Sequence, residues 1–236
     1  MPKLPKDRPV KQGLRDAPRQ TVLKPDVPDD VPDSEIELTA LSYVGSYNWV
    51  NSPNPTIVVP GEYTASRHRD IYSQSSLGSP RRWLDRKLPF NVKADSGIVF
   101  VDQNALRMND TPLLPLIRSV ELMSKISETP SSDGFDWPKV DFVTDRSNLR
   151  KILRWIDGSA GGRALRIDAQ LAGNGTILLN RWERRTREYG SGSYGFNLEK
   201  ATTAPVQGCE ETTAHHRIVK YVSGVGQCWS AMCELL

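Results

Sequence analysis

The chain has no long hydrophobic run. Nowhere do about 18 apolar residues follow one another, so no membrane-spanning helix and no membrane partner are expected. The opening Met1-Pro2-Lys3-Leu4-Pro5-Lys6-Asp7 lacks the apolar centre of a secretory signal, and Asp7, Asp16 and the nearby prolines do not fit a mitochondrial presequence. Cysteine is scarce. There are three, an odd number without framework spacing, which predicts a reducing compartment, cytoplasmic or nuclear. Neither sign of charge dominates: 31 basic against 28 acidic residues, net +3, is no argument by itself for a nucleic acid or a lipid surface. Internal repeats are also missing. What remains, 38% hydrophobic and 25% charged residues over 236 positions, suits one sizeable globular domain with or without tails.

Residues 1–37 are expected to be a disordered, proline-rich tail. Seven of the 17 prolines (Pro2, Pro5, Pro9, Pro18, Pro25, Pro28, Pro32) lie there, and its few large apolar residues cannot offset the entropy of ordering. Its charge is segregated, basic from Lys3 to Lys24 and acidic from Asp26 to Glu37. Such an arm either folds back weakly on itself or recruits a protein partner. A single domain is expected over 38–221. Leu38 to Val50, Thr56 to Val59 and Gly97 to Val101 read as strands. Thr111-Pro112 opens a helix to about Lys125, with Thr111 as its cap. Residues 61–80 and 128–138 read as loops. Val140 to Val143 is a short strand, and Asp145 caps a helix closed by Gly158, with Leu149, Ile152, Leu153 and Ile156 on its buried face. Leu165 to Leu171 and Thr176 to Trp182 flank Asn174-Gly175, a hairpin signal, because both residues tolerate positive φ. A strand over 216–222 follows. Residues 222–236 lose all periodicity and read as an aperiodic tail. The fold class is therefore α+β or mixed α/β, with a mixed or antiparallel sheet and a few packing helices.

Several constellations could carry chemistry. Cys209, His215 or His216, Cys228 and Cys233 could supply four zinc ligands, although a His pair entering a strand directs its rings to opposite faces, so only one could ligate. The alternative is one packed histidine, one exposed histidine and three unpaired thiols. Asp168 on one hairpin strand and Glu183-Arg184-Arg185 after the next are similar to the Asp…Glu-x-Lys magnesium site of restriction-type nucleases. Arg185 stands where the lysine would be, and a permanently protonated arginine cannot act as a base. Arg181, Arg184, Arg185 and Arg187, interleaved with Trp182 and Tyr189, fit a rim that contacts the phosphates of RNA or DNA. Asp29-Asp30-Val31-Pro32-Asp33 matches the aspartate-rich string of prenyl diphosphate synthases. Pro28 and Pro32 disrupt the helix that string needs, and no second such motif follows. His68 reads as a surface residue. Gly158 to Gly162 follows a helix rather than opening one, so it is no phosphate loop.

Four strings occur together: Leu38-Thr39-Ala40-Leu41-Ser42-Tyr43-Val44-Gly45-Ser46-Tyr47-Asn48-Trp49-Val50, Asp102-Gln103-Asn104-Ala105, Asp141 to Lys151, and His215-His216-Arg217-Ile218-Val219. With them the chain, over about 38–221, resembles an uncharacterised family of filamentous-fungal proteins often labelled geranylgeranyl pyrophosphate synthetase, a label the motifs do not support. In that family the His-His-Arg-Ile strand leads to further strands with acidic pairs suited to a restriction-type or decapping-type nuclease core. This chain departs from the pattern after Tyr221. Val222-Ser223 can be encoded by the consensus start of an intron, so the expectation is a truncated, read-through tail that also breaks the fold. The resulting reading is a nuclease-like, nucleic-acid-associated domain that lacks its metal carboxylates and is inactive as written. The alternatives are a non-catalytic protein-interaction module, zinc-stabilised at its C-terminus, and a prenyl diphosphate synthase, which rests on the family label alone.

Overall fold

The computed structural model describes residues 32, 34, 37–59, 81–126, 134–158, 165–173, 175–183, 185–205, 209–223 and 228–235. Nearly all of the expected proline-rich tail, with its aspartate string, lies outside them. So do His68, the 61–80 loop, Asn174 and Arg184.

Seven strands form one mixed sheet in the order β2-β1-β10-β11-β5-β7-β6. They are β1 (Leu38–Val50), β2 (Ile57–Val58), β5 (Phe142–Asp145), β6 (Ile167–Ala172), β7 (Thr176–Arg181), β10 (Thr212–Ser223) and β11 (Cys228–Leu235). The pairs β11–β5 and β5–β7 are parallel and the rest antiparallel. Two small ribbons stand apart from the sheet: β3 (Arg81–Trp83) with β9 (Thr203–Pro205), and β4 (Ile98–Val101) with β8 (Arg187–Tyr189). The helices are α1 (Gln103–Arg107), α2 (Leu114–Ile126), α3 (Arg146–Ile156) and α4 (Gly195–Thr202). This is the mixed α+β class that the alternation of strand and helix patterns implies.

The core lies between β1, α2, β5 and β10. Tyr47, Trp49, Leu113, Leu116, Val120, Val140, Val143 and Ile218 are all buried in it. It is not wholly apolar. Asn104 reaches in from α1, where its Oδ1 accepts from Trp49 Nε1 at 2.7 Å and its Nδ2 donates to Tyr47 Oη at 3.0 Å. These bonds satisfy the polar ends of two large aromatics that burial would otherwise leave unpaired.

Three sequence expectations shift. The helix foreseen at Thr111-Pro112 begins at Leu114, because Thr111 instead closes a turn, its carbonyl accepting from Leu114 N at 3.0 Å. In α3, Leu153 is 64% exposed, whereas Asn148 is fully buried and its Nδ2 donates to Leu179 O at 2.8 Å. Bonds at the start and in the middle of the helix set this rotation. Asp145 Oδ1 accepts from Asn148 N at 2.7 Å, and Lys151 is tied to the segment after β7, so the inward face is turned away from Leu153. The third shift concerns the expected aperiodic tail. Residues 228–235 are strand β11, inserted between β10 and β5, with Val222 opposite Cys228 and Phe142 opposite Trp229. A strand with neighbours on both sides is held by its ladders and needs no alternation of apolar and polar residues.

Candidate functional site

The carboxyl ends of the parallel strands β5 and β7 lie side by side, the position where open α/β sheets place their ligands. Asp145 ends β5 and Arg181 ends β7. Asp102, between β4 and α1, is brought to the same point. Its main chain is fixed by a 2.9 Å bond from its N–H to Thr186 O, and its carboxylate caps α1 by accepting from Ala105 N at 2.9 Å.

Arg181 is the hub. Its side chain is 6% exposed, and its three nitrogens face three carboxylates: Nη2 to Asp102 Oδ2 at 2.5 Å, Nε to Asp145 Oδ2 at 2.8 Å, and Nη1 to Glu183 Oε1 at 3.5 Å. The planar, forked guanidinium suits this arrangement, which a point charge could not satisfy. Burial pushes the Asp145 carboxyl above the usual carboxylate range, against the opposing pull of the Arg181 charge. Glu183 has a second cation, since its Oε1 lies 2.6 Å from Lys151 Nζ, which also donates to Trp182 O at 3.3 Å.

Above this floor opens a cleft of about 550 Å³. One wall is α3, with Arg146, Arg150 and Arg154 at successive four-residue intervals on one face. The other carries Arg185, Thr186, Arg187 and Glu188, and two phenyl rings, Phe100 and Phe196, also line it. Phe196 is positioned by Asp95, whose carboxylate accepts from Ser193 Oγ at 2.7 Å, Asn197 N at 2.8 Å and Phe196 N at 3.3 Å at the start of α4. Burial works to raise the Asp95 carboxyl, but the Ser193 hydroxyl and the two amides outweigh it and hold it below its ordinary value. Among the described residues, Arg150, Arg154 and Arg187 have no ion-pair partner.

Of the sequence candidates, Arg181, Glu183, Arg185 and Arg187 come together here, while Arg184 lies outside the described residues. Asp168 does not join Glu183. It pairs with Asn180 across the hairpin, the position next to Arg181 and so on the opposite face of the strand. There it is 47% exposed and both its carboxylate oxygens accept from one edge of the Arg166 guanidinium, Nε and Nη2, at 2.6 and 2.7 Å. The carboxylates that do accompany Glu183 are Asp102 and Asp145, which sequence reading saw only as part of a family string and as a helix cap. Their signal was the position itself, each at a strand end that feeds directly into a helix.

The Cys/His set does not converge. Cys228 and Cys233 are five residues apart on one continuous strand, about 17 Å, too far for one zinc with thiolate bonds of about 2.3 Å. Cys209 is buried, and burial raises its thiol. Both histidines are buried, correcting the expectation that one is exposed, because β10 runs between β1 and β11. His215 Nδ1 lies 2.7 Å from Asn48 Oδ1, and His216 stacks on Tyr47 with ring centroids 4.6 Å apart. Burial lowers His215 to about 4 and His216 to about 3, so both are neutral. Among the described residues, no group of three His, Cys, Asp or Glu side chains is arranged to hold a metal ion, and no helix is long and apolar enough to cross a membrane.

Fold and cleft together define a mixed α+β domain with a cationic cleft at the carboxyl ends of two parallel strands. The chain belongs to the family described as a domain of unknown function (DUF8563), which matches residues 31–230. No curated protein and no solved structure matches it.

Proposed function

We propose that the domain binds a single strand of RNA or DNA in the arginine-walled cleft, without cleaving it. The observation that carries this reading is the set Arg150, Arg154 and Arg187. These are three cations with no ion-pair partner among the described residues, around one cleft that also holds Phe100 and Phe196. A groove of positive charge with aromatic faces is what a single strand needs, since the charge tracks its phosphates and the rings stack its bases. Binding is favoured over cleavage because Asp102, Asp145 and Glu183 are each already committed to Arg181 or Lys151. Magnesium held there would have to displace a guanidinium gripped from two sides.

The test is fluorescence anisotropy with a labelled mixed-sequence oligonucleotide over a salt series. Binding should weaken with salt, by about 0.7 in log–log slope for each phosphate neutralised. The Arg150→Glu, Arg154→Glu, Arg187→Glu triple variant should bind at least tenfold more weakly. Unchanged affinity in that variant would sink the proposal.

A further inference from the structure

The deepest cations of the cleft are already occupied by an anion of the protein itself. Glu183 Oε1 sits 2.6 Å from Lys151 Nζ and 3.5 Å from Arg181 Nη1. Asp102 and Asp145 hold the other two nitrogens of Arg181 and so fix the direction of the third. Glu183 is anchored differently. It lies beyond the end of β7, its side chain is 22% exposed, and among the described residues the cations it meets are these two. It can swing out to water without disturbing the buried pairs behind Arg181. Lys151, 27% exposed, is likewise reachable from the cleft.

We propose that this position is a seat for a terminal phosphate of the bound strand, and that Glu183 is the internal competitor that makes the seat selective. The inference rests on the nucleic-acid reading of the cleft. Selectivity follows from charge. An internal phosphodiester carries one negative charge, so exchanging it for the Glu183 carboxylate brings Lys151 and Arg181 no additional charge. A terminal phosphomonoester carries nearly two negative charges at neutral pH and offers three acceptor oxygens in place of two. Only the second exchange gains Coulomb energy, and Arg150 and Arg154 on the same helix as Lys151 are placed to share the surplus charge. Glu183 thus acts as a threshold that admits strand ends and turns away strand interiors.

Anisotropy with three labelled oligonucleotides of one sequence tests this with the full chain. One carries hydroxyl groups at both ends, one a 5′-phosphate and one a 3′-phosphate. Wild-type protein should bind at least one phosphorylated form roughly three- to tenfold more tightly than the hydroxyl form, and the end that gains identifies the polarity of the strand. In Lys151→Gln that ratio should fall to one while hydroxyl-ended binding persists. In Glu183→Gln the competing carboxylate is gone, so the hydroxyl-ended strand should bind more tightly than it does to the wild-type protein. Equal wild-type affinities for all three strands overturn the seat and leave the cleft reading standing. A ratio that survives in Lys151→Gln overturns it as well. If no strand binds, both readings fall. The wild-type comparison decides without any variant having to fold.

Discussion

Asp102 and Asp145 cap two different helices and grip the same guanidinium. One carboxylate ends the N-terminus of α1, the other that of α3, and Arg181 lies between them at 2.5 and 2.8 Å. The two helix starts are therefore held in register by a single side chain of β7. An arginine in this position sets the width of the cleft floor as well as its charge.

Removing that side chain should be costly. Arg181→Ala leaves two poorly solvated carboxylates facing each other, and loss of one partner from a buried ion pair costs about 3–5 kcal/mol. Urea denaturation should show a loss of this size. Arg181→Lys should recover only part of it, because an ammonium cannot serve three directions in one plane. A loss under about 1 kcal/mol would mean the hub is not what joins the two caps.

The chain passes itself very closely at Gly190. A Cβ placed there would stand 2.4 Å from the Asp95 carbonyl carbon, a contact with backbone that cannot move aside as a side chain could. Gly190→Ala should cost about 1–3 kcal/mol and loosen the start of α4, which carries Phe196 to the cleft. Gly195→Ala is the control. It meets open space at a helix start and should be neutral or slightly stabilising. Thermal melts of the two variants should separate in that order.

Acid should weaken the fold through its two buried histidines. In the folded chain His215 and His216 remain neutral down to about 4 and about 3, whereas in the unfolded chain each takes its proton near 6.5. The unfolded state therefore binds more protons below 6.5. The stability due to neutral burial is complete above that pH and declines as the pH falls, by about 1.4 kcal/mol per unit for each histidine. Urea midpoints measured from pH 7 to about 4.5 should fall, and His215→Gln should flatten the slope by about half. A flat wild-type profile over that range would contradict the burial of both rings.

Asp168 should be dispensable. Its bond to Arg166 is exposed, and pairs of that kind contribute at most about 1 kcal/mol. Asp168→Ala should leave oligonucleotide affinity unchanged and shift stability by no more than that. Should the purified protein show magnesium-dependent cleavage that Asp168→Ala abolishes, the cleft would have been wrongly read as a binding surface.

Local features were legible in the sequence where the signal is local. The Asp145 cap, the Gly158 stop at φ +75° and the Thr176–Arg181 hairpin strand each declare themselves within a few residues. The hub did not, because Asp102, Asp145 and Arg181 are brought together by strand order rather than by spacing, and a cap signal does not say which cation the capping carboxylate will also meet. Leu153 misled for a related reason. Periodicity identifies a helix, but its rotation on the sheet was decided by polar bonds of Asn148 and Lys151. The position of β11 was illegible because its partners β10 and β5 supply the order that its own sequence lacks.

That position has a kinetic consequence. In the strand order, β2-β1-β10 and β5-β7-β6 are joined only through β11. A ribosome makes β11 after every other strand of the sheet, so both three-stranded pieces must wait with a bare edge, β10 on one and β5 on the other. During that interval either edge can recruit a strand from a neighbouring chain instead of its own. Arrival of β11 closes both edges at once, making this short segment the lock that completes the sheet from the chain's own strands.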